Sequence, residues 1–131
     1  MGSAQNPDIY FQVREASNLN YISFPEVLDL QLDKVNSLIG TSYRPYEYYG
    51  SKEPEHVIVA MGSVIDTIKQ TIDHLNMSGN NFGVINVRLF RPFSASKFVE
   101  SLPLSTRFIS VLDKTKEPGS AGEPLDRKSV V

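Results

Sequence analysis

Cysteine and tryptophan are both absent from the 131 residues. Without thiols the chain forms no disulfide, zinc–thiolate centre or cysteine nucleophile, and it supplies no ligand to an iron–sulfur cluster. Histidine is scarce. His56 and His74 fall on separate expected elements with no neighbouring ligand pattern, which argues against a metal site or a histidine-based triad and for solvated side chains. A charge excess is also missing: 13 Lys and Arg stand against 15 Asp and Glu, for a net charge of −2. They are scattered, so no field for nucleic acid or acidic lipid arises, and no nucleic-acid partner is expected. No apolar run approaches the roughly 20 residues a bilayer requires. The start, Met1-Gly-Ser-Ala-Gln-Asn-Pro7, is polar and unlike a secretory signal. No membrane partner is expected, and the location implied is the cytoplasm. Finally, neither G-x-G-x-x-G nor G-x-x-x-x-G-K-[ST] occurs, which weakens any reading as a nucleotide-binding protein.

What is present is the composition of one globular domain, 40% hydrophobic and 21% charged. The organising stretch is 57–92. Val57-Ile-Val-Ala-Met61 is a continuous apolar run, the mark of a parallel strand buried on both faces. Gly62-Ser63 makes the turn, with Ser63 and Asp66 spaced to cap a helix over 64–76. Ile65, Ile68, Ile72 and Leu75 then recur at three, four and three, giving one stripe to lay on a sheet. A second strand is expected over 82–90, parallel to the first through a right-handed crossover. Arg91-Pro92-Phe93-Ser94 turns the chain into a short helix ending near 102, and 107–113 forms a third strand. The alternation β-α-β-α-β defines a small doubly wound α/β domain with a mainly parallel sheet.

Upstream, residues 1–22 carry no clean period and are expected to be irregular, with Asn6-Pro7-Asp8 as a turn signal. Ser23-Phe-Pro-Glu26 has the spacing of a capping box, so a helix is expected over 24–39, with Leu28, Leu32, Val35 and Ile39 as its stripe and Gly40 as its stop. Residues 41–54 hold two prolines, Gly50 and tyrosines 43, 46, 48 and 49, and are expected to be a connector without a long regular element. Those tyrosines are read as packing the connector onto a core, the alternative being a stacking platform for a ligand. After the third strand, residues 114–131 are expected to stay irregular.

Ligands of parallel sheets sit at the carboxyl ends of the strands. Here those ends carry Gly62-Ser63, Arg91-Pro92 and the loop 114–117, and the three are expected to converge. The helix N-terminus after Gly62-Ser63 can accept an anion, with Arg91 or Lys114 as counter-charge; an ordinary strand-to-helix turn is the alternative. Lys114 and Lys116 flank Thr115 beside Glu117, a set suited to a phosphate or an interface ion pair, or to a plain solvated loop.

Five ordered groups of residues resemble one family. Gly2-Ser-Ala-Gln-Asn-Pro-Asp-Ile-Tyr-Phe-Gln12 with Arg14-Glu-Ala16, then Tyr48-Tyr-Gly50, Val57-Ile-Val-Ala-Met-Gly-Ser63, Val87-Arg-Leu-Phe-Arg-Pro-Phe93, and Leu112-Asp-Lys-Thr-Lys-Glu-Pro-Gly119 with Gly122-Glu-Pro-Leu125 are similar to pyruvate:ferredoxin (flavodoxin) oxidoreductases. The resemblance implies a large homodimeric enzyme using thiamine diphosphate, Mg²⁺, [4Fe-4S] clusters and coenzyme A. It oxidatively decarboxylates pyruvate to acetyl-CoA and passes electrons to ferredoxin or flavodoxin, in the cytoplasm or in an anaerobic organelle of a eukaryote. It further implies that residues 1–22 are the tail of the pyrimidine-binding domain, 23–54 a linking helix and Tyr-rich connector, and 55–125 a domain like the transketolase C-terminal one. The tail 126–131 departs from the family's pattern and is read as non-native. The family's thiamine glutamate, its Gly-Asp-Gly region and its cluster cysteines have no counterpart here, so no catalytic, cofactor-binding or metal-binding residue carries over. Arg14, Gly62, Ser63, Arg91, Pro92, Lys116 and Glu117 are expected instead to orient domains or form interfaces with the remaining domains of a parent chain. Alternatives are a non-catalytic interaction domain, as in a sulfite reductase subunit, or part of a pyruvate:NADP⁺ oxidoreductase.

Overall fold

The computed structural model describes residues 4–129. The chain begins with two helices, α1 (Pro7–Ala16) and α2 (Asn18–Ile39), separated by Ser17 alone. Strands and helices then alternate as β1 (Tyr46–Gly50), β2 (His56–Ala60), α3 (Val64–Met77), β3 (Phe82–Val87), α4 (Ala95–Ser101), β4 (Phe108–Val111) and α5 (Pro124–Ser129).

The four strands form one sheet in the order β1-β3-β2-β4. β2 pairs in parallel with both β3 and β4, and β1 runs antiparallel along the outer edge of β3. The chain passes from β2 to β3 in one direction across the sheet and returns past β2 to reach β4. Crossovers of the same hand therefore place α3 and α4 on opposite faces, as two separate cores show. Under α3, Ala60 and Val84 meet Ile65, Ile68 and Ile72. On the other face Val57, Val59, Ile85 and Val87 meet Tyr46, Leu89, Phe98 of α4 and Leu125 of α5. The expected doubly wound α/β architecture is present.

The periphery differs from the sequence expectation in four places, each for a physical reason. Residues 7–16, expected to be irregular, are helical: Pro7 occupies the first helical position, where its fixed φ suits the turn and its missing N–H costs nothing, and Asp8 follows in the first turn. The next helix does not begin at Ser23. α2 runs unbroken from Asn18 with Pro25 inside it, and the Ser23 hydroxyl donates back to the carbonyls of Leu19 and Asn20, at 3.2 Å each, instead of capping. The connector 41–54 contains β1. Its β-forming Tyr46, Tyr48 and Tyr49 pair with β3, and its prolines lie outside the strand. The last strands are shorter than 82–90 and 107–113, and residues 124–129 form a helix where irregular chain was expected, because Pro124 suits its first position, Asp113 Oδ2 accepts from the Leu125 and Asp126 amides, and Leu125 is buried in the core. The expected non-native tail 126–131 falls partly on this helix, and Val130 and Val131 lie outside the described residues, as do the first three residues of the segment 1–22.

Close approach within the sheet requires a glycine at 83. Tyr48 crosses from β1 over Gly83, and its hydroxyl donates to the Ser51 carbonyl at 2.6 Å, so the ring cannot swing away freely. A Cβ at position 83 would collide with that ring. Gly83→Ala is expected to cost about 2 kcal/mol through overpacking. The penalty should vanish in a Tyr48→Ala background, as read by a double-mutant cycle of urea unfolding; a penalty that persists there would contradict the packing assignment.

Candidate functional site

The connections leaving β2 and β3 part to opposite faces, so a crevice opens between the carboxyl ends of these strands, the usual ligand position in such folds. Its floor is set by register. Asn86 faces Ala60 across the parallel pair and Glu47 across the antiparallel one, so the three form a row on the α3 side of the sheet. α3 roofs the row and brings Ile65, Asp66 and Lys69, while Gly62 opens its first turn with φ +82°. Together with Tyr43, Val87 and Arg88 these residues, Ala60 excepted, line a cavity of about 580 Å³.

Glu47 organises the charges. Its Oε1 accepts from the Lys69 ammonium at 3.2 Å, its Oε2 accepts from the Arg88 guanidinium, and the Arg88 head lies 4.6 Å from the Tyr43 ring centroid. Burial pushes the Glu47 carboxyl up, but the hydrogen bonds from Lys69 and Arg88 and their charges outweigh that cost and hold it below the ordinary glutamate range. On the opposite face Tyr46 ties the sheet to the α4 connection. Its buried hydroxyl donates to the Leu89 carbonyl at 3.0 Å and accepts from the Ser94 amide at 2.9 Å, and its ring meets Phe93 and Phe98 edge-on. Burial raises the Tyr46 phenol, against a smaller opposing pull from the Ser94 amide.

The three loops expected to converge do so in pairs. The Ser63 hydroxyl makes no cap for α3 and instead accepts from Lys114 at 3.3 Å, which joins the ends of β2 and β4. Beside this contact lies a cavity of about 370 Å³ lined by Met61, Val64, Leu112, Asp113, Lys114 and Thr115. Asp113 Oδ2 accepts from the amides of Leu125 and Asp126 and anchors α5, while its buried Oδ1 has no partner among the described residues. Arg91 and Glu117 share a third cavity, of about 300 Å³, with Phe90, Pro124, Arg127 and Lys128. Pro92 follows Arg91 through a cis peptide, Lys116 stands exposed on the same loop as Glu117, and Arg14 is exposed on α1, outside all three cavities.

Asn86, Glu47, Lys69 and Arg88 escaped the sequence reading. One signal was available, an asparagine within the apolar run of β3. Among the described residues no group of three or more His, Cys, Asp or Glu is placed to hold a metal ion; with no cysteine in the sequence, the residues present do not fit an iron–sulfur cluster. No helix of the described residues is long and apolar enough to cross a membrane.

These features define a small doubly wound α/β domain with an antiparallel edge strand and a polar crevice at its switch point. Comparison with known proteins places it further. The family described as "Pyruvate:ferredoxin oxidoreductase core domain II" matches residues 54–127, and the chain belongs to that family. Over 124 residues, 95% of the chain, it is 50% identical to the pyruvate-flavodoxin oxidoreductase of Enterobacter agglomerans and 48% identical to that of Trichormus variabilis. It is 50% identical over the same length to the pyruvate:ferredoxin oxidoreductase of Moorella thermoacetica. The chain spans only 10–11% of the length of these relatives.

The sign of the Glu47 shift predicts a pH dependence. A carboxyl held low in the folded state adds stability above its unfolded value and loses it as the pH falls through the folded one. Glu47→Gln is expected to cost about 1–2 kcal/mol at neutral pH, with the gap to wild type closing below the ordinary glutamate range, as followed by urea unfolding across pH. A gap independent of pH would show that the triad does not carry the charge coupling described.

Proposed function

We propose that the chain is a segment of a thiamine diphosphate and iron–sulfur oxidoreductase that oxidatively decarboxylates pyruvate to acetyl-CoA, with ferredoxin or flavodoxin as electron acceptor. Within that enzyme this piece is scaffold and interface and performs no chemistry alone. The observation that carries the reading is the 50% identity over 95% of the chain to named pyruvate oxidoreductases roughly ten times its length. Thiamine diphosphate, Mg²⁺, [4Fe-4S] clusters and coenzyme A bind to other parts of the parent. This chain brings no cysteine to a cluster, and its crevice has no phosphate loop. The parent is a homodimer in the cytoplasm, or in an anaerobic organelle of a eukaryote. Residues 1–22 close its pyrimidine-binding domain, 23–54 link, and 55–125 form the second domain.

The exposed helices support an interface role. No described residue of α1 or α2 is buried. Leu19, Ile22 and Leu38 are 74–83% exposed, far more apolar surface than a helical pair leaves to water without a partner. The remaining domains of the same parent chain supply that cover. Arg14 on α1 and the strand-end set of Gly62, Ser63, Arg91, Pro92, Lys116 and Glu117 orient this unit against its neighbours.

The reading is tested by assay in parallel. This chain, mixed with pyruvate, coenzyme A, thiamine diphosphate and methyl viologen, is expected to leave the viologen oxidised. The longer reading frame that contains it is expected to reduce ferredoxin or flavodoxin only when pyruvate and coenzyme A are both present. A reading frame without pyruvate-dependent reduction, or turnover by this chain alone, would overturn the proposal.

A further inference from the structure

The crevice between β2 and β3 holds more polar capacity than the fold uses. Asn86 is 5% exposed, yet the hydrogen bonds around it run from Lys69 and Arg88 to Glu47 and leave its side-chain amide unpartnered among the described residues. The amide is not sealed in, since the enclosed side-chain atoms without a partner among the described residues are those of Thr106 and Asp113; it opens onto the crevice, where an entering group can bond to it. Strand alternation aims this side chain to the α3 side, opposite Glu47 and Ala60, so the open donor faces the cavity. Above it begins α3, 14 residues long, whose N-cap residue Ser63 makes no side-chain cap. Of its first-turn N–H groups, that of Ile65 donates to the Gly62 carbonyl at 3.2 Å, and the others have no intrahelical acceptor and present partial positive charge.

Charge narrows the class of occupant. The half-buried groups are Lys69, Arg88 and Glu47, with side-chain exposures of 25%, 33% and 23%, and they sum to one positive charge. Asp66, in the first turn of α3, opposes an anion, but it is exposed and therefore solvated and screened. A metal cation is disfavoured, because both oxygens of Glu47 already accept from cations and the exposed Asp66 belongs to no group of three or more His, Cys, Asp or Glu among the described residues. The cavity volume of about 580 Å³ is that of a small-molecule site.

We propose that this crevice binds the oxyanion of a small molecule, a carboxylate or a phosphate monoester, between the Asn86 amide, the N–H groups opening α3 and the Lys69 and Arg88 side chains. The site lies apart from the loops assigned above to domain orientation, Gly62 excepted, and its occupancy does not depend on the parent's reaction.

The test is a ¹H–¹⁵N NMR titration of the labelled chain with inorganic phosphate and, separately, acetate, at constant ionic strength against chloride. Saturable shifts are expected at the Gly62 and Asp66 amides and at the Asn86 side-chain amide. Saturation by phosphate alone would identify a phosphate ester as the ligand class, and by acetate a carboxylate; both support the site. Asn86→Leu and Lys69→Gln are each expected to weaken binding about tenfold, the loss of one charge-assisted hydrogen bond. If Asn86→Leu fails to fold, Lys69→Gln decides. Shifts that do not saturate, that match chloride, that centre elsewhere, or that survive Lys69→Gln unchanged would overturn the proposal.

Discussion

Burial of the β2–β3 pair on both faces is the constraint from which the rest of the architecture follows. Val57 and Val59 with Ile85 and Val87 point one way, and Ala60 with Val84 points the other. A parallel pair apolar on both sides must be covered twice. The cover comes from α3 with Ile65, Ile68 and Ile72 on one face and from α4 and α5 with Phe98 and Leu125 on the other. Covering opposite faces sends the two strand-end connections apart, and that divergence opens the crevice. The hydrophobic demand of the sheet thus creates the polar site at its end.

The edge strand β1 closes this arrangement from the side. Through Glu47 it holds Lys69 of α3 and Arg88 just past β3, and through Tyr46 it holds Leu89 and Ser94 on the way to α4. One short strand therefore fixes both connections at the carboxyl end of the sheet, on its two faces. Half-buried ion pairs of this kind add little net stability by themselves, because desolvation offsets much of the attraction. Their effect is positional: they hold two cations beside Asn86 with their charge only partly neutralised.

Legibility in the sequence followed the physics of each element. β2, α3 and the middle of β3 were readable, because an apolar run and a three-four-three spacing are local signals of burial. α1 was not, since Pro7 after Asn6 reads equally as a turn or as a first helical residue, and only the following turn of helix decides. β1 was hidden because it takes its pairing from β3, from 33 residues further on at Gly50 and Gly83 to 41 at Tyr46 and Val87, and not from any alternation of its own. Of the tyrosine cluster, Tyr46, Tyr48 and Tyr49 pack onto the two cores and bond through their hydroxyls within the fold, while Tyr43 stays exposed at the crevice. The Glu47 triad joins residues 22 and 41 positions apart, a separation no local pattern encodes. The loop residues Gly62, Ser63, Arg91 and Glu117 lie at strand ends as expected, yet Gly62 lines one cavity and Arg91 with Glu117 another, because neighbouring connections leave toward different faces.

β2 and β3 form the stable centre of a unit to which α1 contributes nothing without a partner. Hydrogen exchange of the chain, followed by mass spectrometry, tests this most directly, since amides that open only on global unfolding exchange last. The slowest exchange is expected in β2 and β3, intermediate protection in α3, and rapid exchange throughout α1. Protection of α1 equal to that of β2 and β3 would contradict it.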